Sequence, residues 1–308
     1  MPLHPQVSGF LQQLADMGAK PFSSMTPVES RAAFSALSAS LPRSTAKIAS
    51  AADRKIPGPA GEIPLRVYTP EGSGPFPALV YFHGGGFVFG ALDDYDHICR
   101  EICGKVSCVV VSVDYRLAPE HKFPAAPDDC FAATKWVAAN AAAIGVDANR
   151  IAVGGDSAGG NLAAVIAQQA RDAKGPKLVA QLLVYPVTQA GEPTQSMIDN
   201  ADGYLLTKAD MEYFFNHYVR SAADGKDARC APMLTQDLSG LPPAWVVTCE
   251  FDPLRDEGEA YAAAMSKAGV SVAAKRIDGT IHATWNFFTV LDLGRGMMDE
   301  ATRWLREQ

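Results

Sequence analysis

The pattern of hydrophobic and polar residues predicts alternating strands and helices over the middle and C-terminal parts of the chain. Ile63–Tyr68 alternates apolar and polar residues, as a half-exposed strand does. Ala78–Phe82 and Cys108–Val113 are continuous apolar runs, which are typical of strands buried on both faces. The same criteria predict four more strands, at Ile151–Gly154, Val179–Val184, Trp245–Thr248 and Val270–Ile277.

Helical spacing of apolar residues lies between these strands. It predicts helices at Ala125–Asn140, Ala158–Asp172, Glu257–Lys267 and Gly296–Arg306. Strands and helices of these lengths that alternate indicate βαβ units and an α/β fold, with a mostly parallel sheet and helices on both faces.

Two segments depart from this alternation. Residues 3–18 and 26–40 have helical spacing, and no strand is predicted before about residue 54. Residues 190–225 hold no predicted strand but include an aromatic, helix-like run, and such an excursion is typical of a lid. We predict that both form one cap, although two unrelated helices fit equally well. The predicted segments are 1–50 (cap), 51–189 (core), 190–225 (cap) and 226–308 (core).

Composition and charge exclude several classes of function. The 308 residues are 48% hydrophobic and carry a formal net charge of −7, without a cluster of Lys and Arg. Nucleic acid and anionic membrane surfaces are therefore not expected partners. The N-terminus lacks the pattern of a secretory signal, and no apolar run is long enough to span a bilayer, so a soluble cytoplasmic protein without stable membrane association is expected.

The six cysteines have no spacing typical of a metal site. No Cys-x-x-Cys pair and no Cys/His cluster occurs among them. We expect reduced, buried thiols that pack as small apolar residues. The six are Cys99, Cys103, Cys108, Cys130, Cys230 and Cys249.

Ser157 is the candidate nucleophile. It is the central residue of Gly155-Asp-Ser-Ala-Gly159, between a predicted strand and a predicted helix. A sharp strand-to-helix turn exposes a serine Oγ, and it requires small neighbours because its backbone is strained. The N-terminus of the following helix would stabilise developing negative charge.

A glycine-rich loop is the candidate oxyanion hole. His83-Gly-Gly-Gly-Phe87 follows a predicted strand, and the backbone N–H groups of Gly84, Gly85 and Gly86, with that of Ala158, are expected to hold an oxyanion. A phosphate-binding loop would continue with Lys and Ser or Thr, which are absent here. His83 itself is expected to hold the loop in place.

The base and its orienting acid follow from chain order, which in this fold is serine, acid, histidine. The candidate histidines are His4, His97, His121, His217 and His282. His282 follows both the serine and the last predicted strand, whereas His217 lies in the predicted cap. For the acid we choose Asp252, just after a predicted strand, over Glu250, Asp256, Glu257 and Asp278.

Four motifs in this order resemble the bacterial hormone-sensitive-lipase-like carboxylesterases, over about residues 55 to 308. They are His83–Phe87, Asp114–His121, Gly155–Asn161 and Asp252–Gly258. The resemblance implies an α/β-hydrolase fold with an eight-stranded sheet and a helical cap, no cofactor, and hydrolysis of short- to medium-chain acyl esters. It also implies the triad and oxyanion hole above, structural roles for Asp114, Arg116 and Glu120, and a possible homodimer.

The chain departs from the family after its triad histidine. Ala283-Thr284 stands where the family has Gly-Phe, and alanine restricts the backbone more than glycine does. This change is expected to affect substrate preference more than activity.

A small-molecule ester is the expected partner of this site. A preference for short acyl chains is predicted from an aromatic entrance, formed by Phe22, Phe87, Phe89, Phe214 and Phe215. The same triad could instead act on amide or lactam bonds or in acyl transfer. A non-catalytic binding protein is a further alternative, which the retention of all three triad residues disfavours.

Overall fold

Eight strands form one sheet in the computed structural model, which describes residues 2–190 and 193–308. Residues 191 and 192, in the predicted second cap segment, lie outside the described residues. The strands are β1 (Ser50–Gly58), β2 (Gly61–Thr69), β3 (Phe76–Phe82), β4 (Val109–Val113), β5 (Val146–Asp156), β6 (Leu178–Val184), β7 (Ala244–Phe251) and β8 (Val272–Ile281). Their order is β1-β2-β4-β3-β5-β6-β7-β8.

The sheet is parallel from β4 to β8, and only β2 runs against its neighbours β1 and β4. This arrangement confirms the predicted eight-stranded, mostly parallel sheet. All five residues of β4 are buried, as expected for a strand covered on both faces.

Nine α-helices lie in the described residues. They are α1 (Pro5–Asp16), α2 (Pro27–Ser40), α3 (Asp96–Val106), α4 (Ala125–Ala139), α5 (Ala158–Asp172), α6 (Gln195–Asp199), α7 (Lys208–Tyr218), α8 (Arg255–Lys267) and α9 (Asp292–Arg306).

The helices cover both faces of the sheet, because successive strand residues point to opposite sides. In β3, Val80 and Phe82 pack in a cluster with residues of α4, α5 and α8. Leu79 and Tyr81 pack in a second cluster with residues of α3 and α9. The core therefore has two layers, one on each side of the sheet.

Two elements were missed by the sequence pattern. The expectation of no strand before about residue 54 was wrong, because β1 begins at Ser50. Six of its nine residues are exposed in succession, so this edge strand forms through its pairing with β2 and not through apolar alternation. Helix α3 was also missed.

The N-terminal segment is tied to the core and to α7. Arg31 in α2 donates to both carboxylate oxygens of Glu120, at 2.9 and 2.6 Å, and to the carbonyl oxygens of Val88 and Ala118, each at 2.9 Å. The buried Asp210 of α7 accepts the N–H of Ser23 at 2.7 Å. These contacts agree with one cap made of both segments, whose boundaries stay a prediction.

All six cysteines are buried and free of disulfide bonds, which confirms the prediction for the thiols. Across the described ranges, no helix combines the length and the apolar character that crossing a membrane requires.

Candidate active site

Three predicted site residues each follow directly on the end of a strand. Ser157 comes after β5, Asp252 after β7 and His282 after β8. These strands are parallel, so their carboxyl ends lie at the same edge of the sheet. Residues far apart in sequence therefore meet at this edge, where α/β folds commonly place their sites.

The three side chains form a chain of hydrogen bonds. His282 Nε2 lies 3.0 Å from Ser157 Oγ, and His282 Nδ1 lies 2.7 Å from Asp252 Oδ2. Asp252 is fully buried, and its other carboxylate oxygen accepts the N–H of Leu254 at 2.8 Å. A serine, a histidine and a buried carboxylate joined in this order are the geometric requirement for an activated serine nucleophile.

The turn that carries Ser157 is strained and needs small neighbours. Ser157 has φ 56° and ψ −118°, a backbone conformation that residues other than glycine rarely adopt. A Cβ atom at Gly155 or at Gly159 would overlap the carbonyl oxygen of Phe82. The smallness predicted at both positions is therefore required by the close approach of β3 to the turn.

The glycine loop meets the same turn. Gly85 and Gly86 have φ values of +105° and +58°, and the hydrogen bonds of the described residues include none from their N–H groups. The N–H of Ala158, the first residue of α5, is likewise without a partner there, as at any helix start. Gly84 differs, because its N–H donates to Asp156 Oδ1 at 3.1 Å. The expectation that Gly84 supplies an oxyanion donor is therefore wrong.

His83 contacts the glycine loop through its ring. Its Nδ1 lies 2.7 Å from the carbonyl oxygen of Gly84, and its ring stacks on Tyr115 with 4.3 Å between centroids. Burial lowers the pKa of His83 to about 4, so the ring is neutral near pH 7. These contacts agree with the structural role expected for it.

The rival acids have other partners. Asp256 accepts the N–H of Ser196 at 2.7 Å, and Glu250 accepts that of Gly279 at 2.7 Å. Glu257 accepts the N–H of Thr188 at 2.6 Å. Burial raises the pKa of Glu257 to about 8, despite this hydrogen bond. The fourth rival, Asp278, is exposed.

Two neighbours of these three hydrogen-bonded side chains were not found from the sequence. Asn200, after the short helix α6, donates to the carbonyl oxygen of Asp252 at 3.2 Å. Tyr185 comes just after β6, and its ring centroid lies 4.4 Å from that of His282. No motif marks either residue. The position of Tyr185 at a strand end was the one available signal.

An apolar cavity of about 120 Å³ opens beside Ser157 and His282. All five phenylalanines of the predicted entrance line it, namely Phe22, Phe87, Phe89, Phe214 and Phe215. Phe22 and Phe89 come from the two sides of the site and pack with 4.7 Å between ring centroids. The cavity is thus lined by aromatic side chains from the N-terminal segment, the glycine loop and α7.

Ala283 stands at the position after His282 where the family resembled by this sequence has glycine. Its φ is +67°, in the left-handed region, where a Cβ atom costs about 1–2 kcal/mol. The backbone thus keeps the conformation that a glycine would favour, and Ala283 adds a methyl group to the lining of the cavity.

Comparison with known proteins gives a consistent picture. Residues 79–286 match the model of a family described as having the alpha/beta hydrolase fold. A carboxylic ester hydrolase of Mycobacterium tuberculosis, LipN, is 48% identical over 242 residues, which are 77% of this chain and 64% of that protein. An arylesterase of Saccharolobus solfataricus is 39% identical over 285 residues, 92% of each chain. The structure of a hyperthermophilic esterase from Pyrobaculum calidifontis superposes with a TM-score of 0.93 at 43% identity, covering 100% of this chain and 99% of that one.

Replacing Ala283 tests the strain at this position. We expect Ala283→Gly to raise the free energy of unfolding by about 0.5–1 kcal/mol, because the relief of strain exceeds the greater entropy of glycine in the unfolded chain. The measurement is the midpoint of urea unfolding. Ala263→Gly, at an exposed position of α8, is the control and should lower stability by about 1 kcal/mol. A loss of stability in Ala283→Gly would contradict the assignment of strain.

Proposed function

Because the chain belongs to the α/β-hydrolase-fold family of carboxylic ester hydrolases, we propose that it hydrolyses short- to medium-chain acyl esters with Ser157 as nucleophile. The observation that carries the proposal is the hydrogen-bonded series Ser157–His282–Asp252 beside an apolar cavity. Cytoplasmic location, the homodimer and the lack of a nucleic-acid partner stay predictions.

In the first half of the reaction, Ser157 Oγ attacks the ester carbonyl and His282 Nε2 accepts its proton. The carboxylate of Asp252 fixes Nδ1 as the protonated nitrogen of the neutral ring and stabilises the imidazolium that forms. Collapse of the tetrahedral intermediate breaks the bond to the alcohol oxygen, which takes the proton from His282. An acyl-enzyme on Ser157 remains.

The second half repeats these steps with water. His282 accepts a proton from the water molecule that attacks the acyl carbonyl, and then returns a proton to Ser157 as the acid leaves. In both halves the negative charge on the carbonyl oxygen is held by backbone N–H groups. We assign this task to Gly85, Gly86 and Ala158, whose N–H groups are not used by the described backbone.

The cavity supports the preference for short acyl chains. It is small, and the aromatic rings that line it pack against each other, as Phe22 does with Phe89 and Phe87 with Tyr218. Among the described residues, its lining contains no Lys or Arg that could pair with a charged acyl group. A short, neutral acyl group matches this space better than a charged or long one.

The role of Ser157 is tested with nitrophenyl acetate. We expect Ser157→Ala to lower kcat/KM by about 10⁴-fold or more, because it removes the hydroxyl that forms the acyl-enzyme. Ser239→Ala, at an exposed position remote in sequence, should keep the rate of the parent protein. Full activity in Ser157→Ala would overturn the mechanism.

The acyl preference is tested with nitrophenyl esters from acetate to palmitate. We expect kcat/KM to be highest for the short and medium chains and to fall steeply toward palmitate. Phe214→Ala, which removes a ring from the cavity wall, should move the maximum toward longer chains. A maximum at palmitate in the parent protein would contradict the chain-length assignment alone and leave the nucleophile untouched.

A further inference from the structure

Asp156 is a buried carboxylate next to the nucleophile for which the proposed mechanism has no task. It is the last residue of β5, it is 2% exposed, and it lines the catalytic cavity. In the described part of the chain it forms no ion pair with Lys or Arg. A carboxylate buried without a cation is costly, so a hydrophobic residue would serve better if filling space were the only requirement.

The carboxylate is instead surrounded by hydrogen-bond donors from the site. Tyr81 donates its hydroxyl to Oδ1 at 2.7 Å, and the N–H of Gly84 reaches the same oxygen at 3.1 Å. Tyr95 donates to Oδ2 at 3.4 Å. Burial raises the pKa of Asp156 to about 6, while the hydrogen bonds from Tyr81, Asn286 and Gly84 act to lower it, so the ionised form prevails near pH 7.

The fit between Asp156 and the glycine loop is close. A Cβ atom at Gly84 would lie 2.5 Å from Asp156 Oδ2. Glycine is thus needed at position 84 because the carboxylate occupies the space of a side chain. The first glycine of the loop serves the contact with Asp156, and the next two keep their N–H groups for the substrate.

We propose that Asp156 is a positioning residue, whose carboxylate fixes the Gly84 end of the oxyanion loop relative to Ser157. The loop is held elsewhere by its own backbone, since the carbonyl oxygen of Gly85 accepts from Val88 and Phe89 at 2.9 and 3.0 Å. Asp156 precedes Ser157 in the chain, so one residue sets the distance between nucleophile and oxyanion donors. This inference rests on the proposed function.

The contacts of Asp156 also reach the loop of the base. Tyr185, whose ring lies beside His282, donates its hydroxyl to Asn286 Oδ1 at 2.7 Å. Asn286 lines the same cavity as Asp156, and its side chain acts to lower the pKa of that carboxylate. The carboxylate thus has neighbours in the oxyanion loop and in the segment after His282, which is the arrangement that a positioning residue requires.

The test compares Asp156→Leu, which removes both acceptors, with Asp156→Asn, which keeps one oxygen. We expect kcat/KM for nitrophenyl acetate to fall about 10²–10³-fold in Asp156→Leu, as when an oxyanion donor is lost, and about 10-fold in Asp156→Asn, because an amide accepts more weakly than a carboxylate. Asp114→Asn is the control, a partly buried carboxylate directly after β4, and should change the rate less than twofold.

The decisive readout is inhibition by a short trifluoromethyl ketone, to which the serine adds to form an oxyanion, beside the matching methyl ketone, which stays a neutral carbonyl. The inhibition constant of the trifluoromethyl ketone should rise by the same factor as kcat/KM falls, while that of the methyl ketone changes less than about threefold. If Asp156→Leu does not fold, the same parallel is required of Asp156→Asn.

The positioning role would be overturned if the inhibition constants of both ketones rose equally. It would also be overturned if neither constant rose in a variant that has lost activity. The proposed function would fail through a different result. Ester hydrolysis would then survive in Ser157→Ala, and the trifluoromethyl ketone would not inhibit the parent protein.

Discussion

The strained backbone of Ser157 is the constraint on which the site depends. With φ 56° and ψ −118°, the chain turns sharply from β5 into α5 and leaves the serine Oγ at the edge of the sheet. β3 passes so near this turn that a Cβ atom has no room at position 155 or 159, so the turn requires glycine at both. The same turn places the N–H of Ala158 at the start of α5, where it has no hydrogen-bond partner among the described residues. One strained residue thus positions the candidate nucleophile and the start of α5, which is part of the proposed oxyanion hole.

The parallel sheet brings Asp252 and His282 to Ser157, which the local turn cannot do. Asp252 and His282 are 95 and 125 residues beyond Ser157, and both stand one residue past the end of a strand. Because β5, β6, β7 and β8 are neighbours in that order, their ends bring the three side chains into a hydrogen-bonded series. This placement requires no strained turn like that at Ser157, because Asp252 and His282 each simply follow the end of a strand. The geometry of the proposed triad is therefore a consequence of strand order and register.

Sequence reasoning reached the features that chain order and local sterics determine. Ser157, Asp252 and His282 could be proposed because each follows a predicted strand in the expected chain order, and the spacing of glycines marked the two loops. It failed where a contact depends on the third dimension. The N–H of Gly84 is used by Asp156, which belongs to another strand. Asn200 reaches Asp252 from a segment without a motif, and the edge strand β1 is held by pairing with β2 instead of by apolar alternation.

Labelling with diethyl nitrophenyl phosphate tests the central claim most directly, because a phosphate ester reacts only with an activated nucleophile. Peptide mapping by mass spectrometry should find one diethylphosphoryl group, on Ser157, whose formation abolishes ester hydrolysis. In His282→Ala the rate of labelling should fall by about 10³-fold or more, since the base that takes the serine proton is gone. Loss of activity with the label on another residue, or equal labelling of Ser157 without His282, would contradict the account.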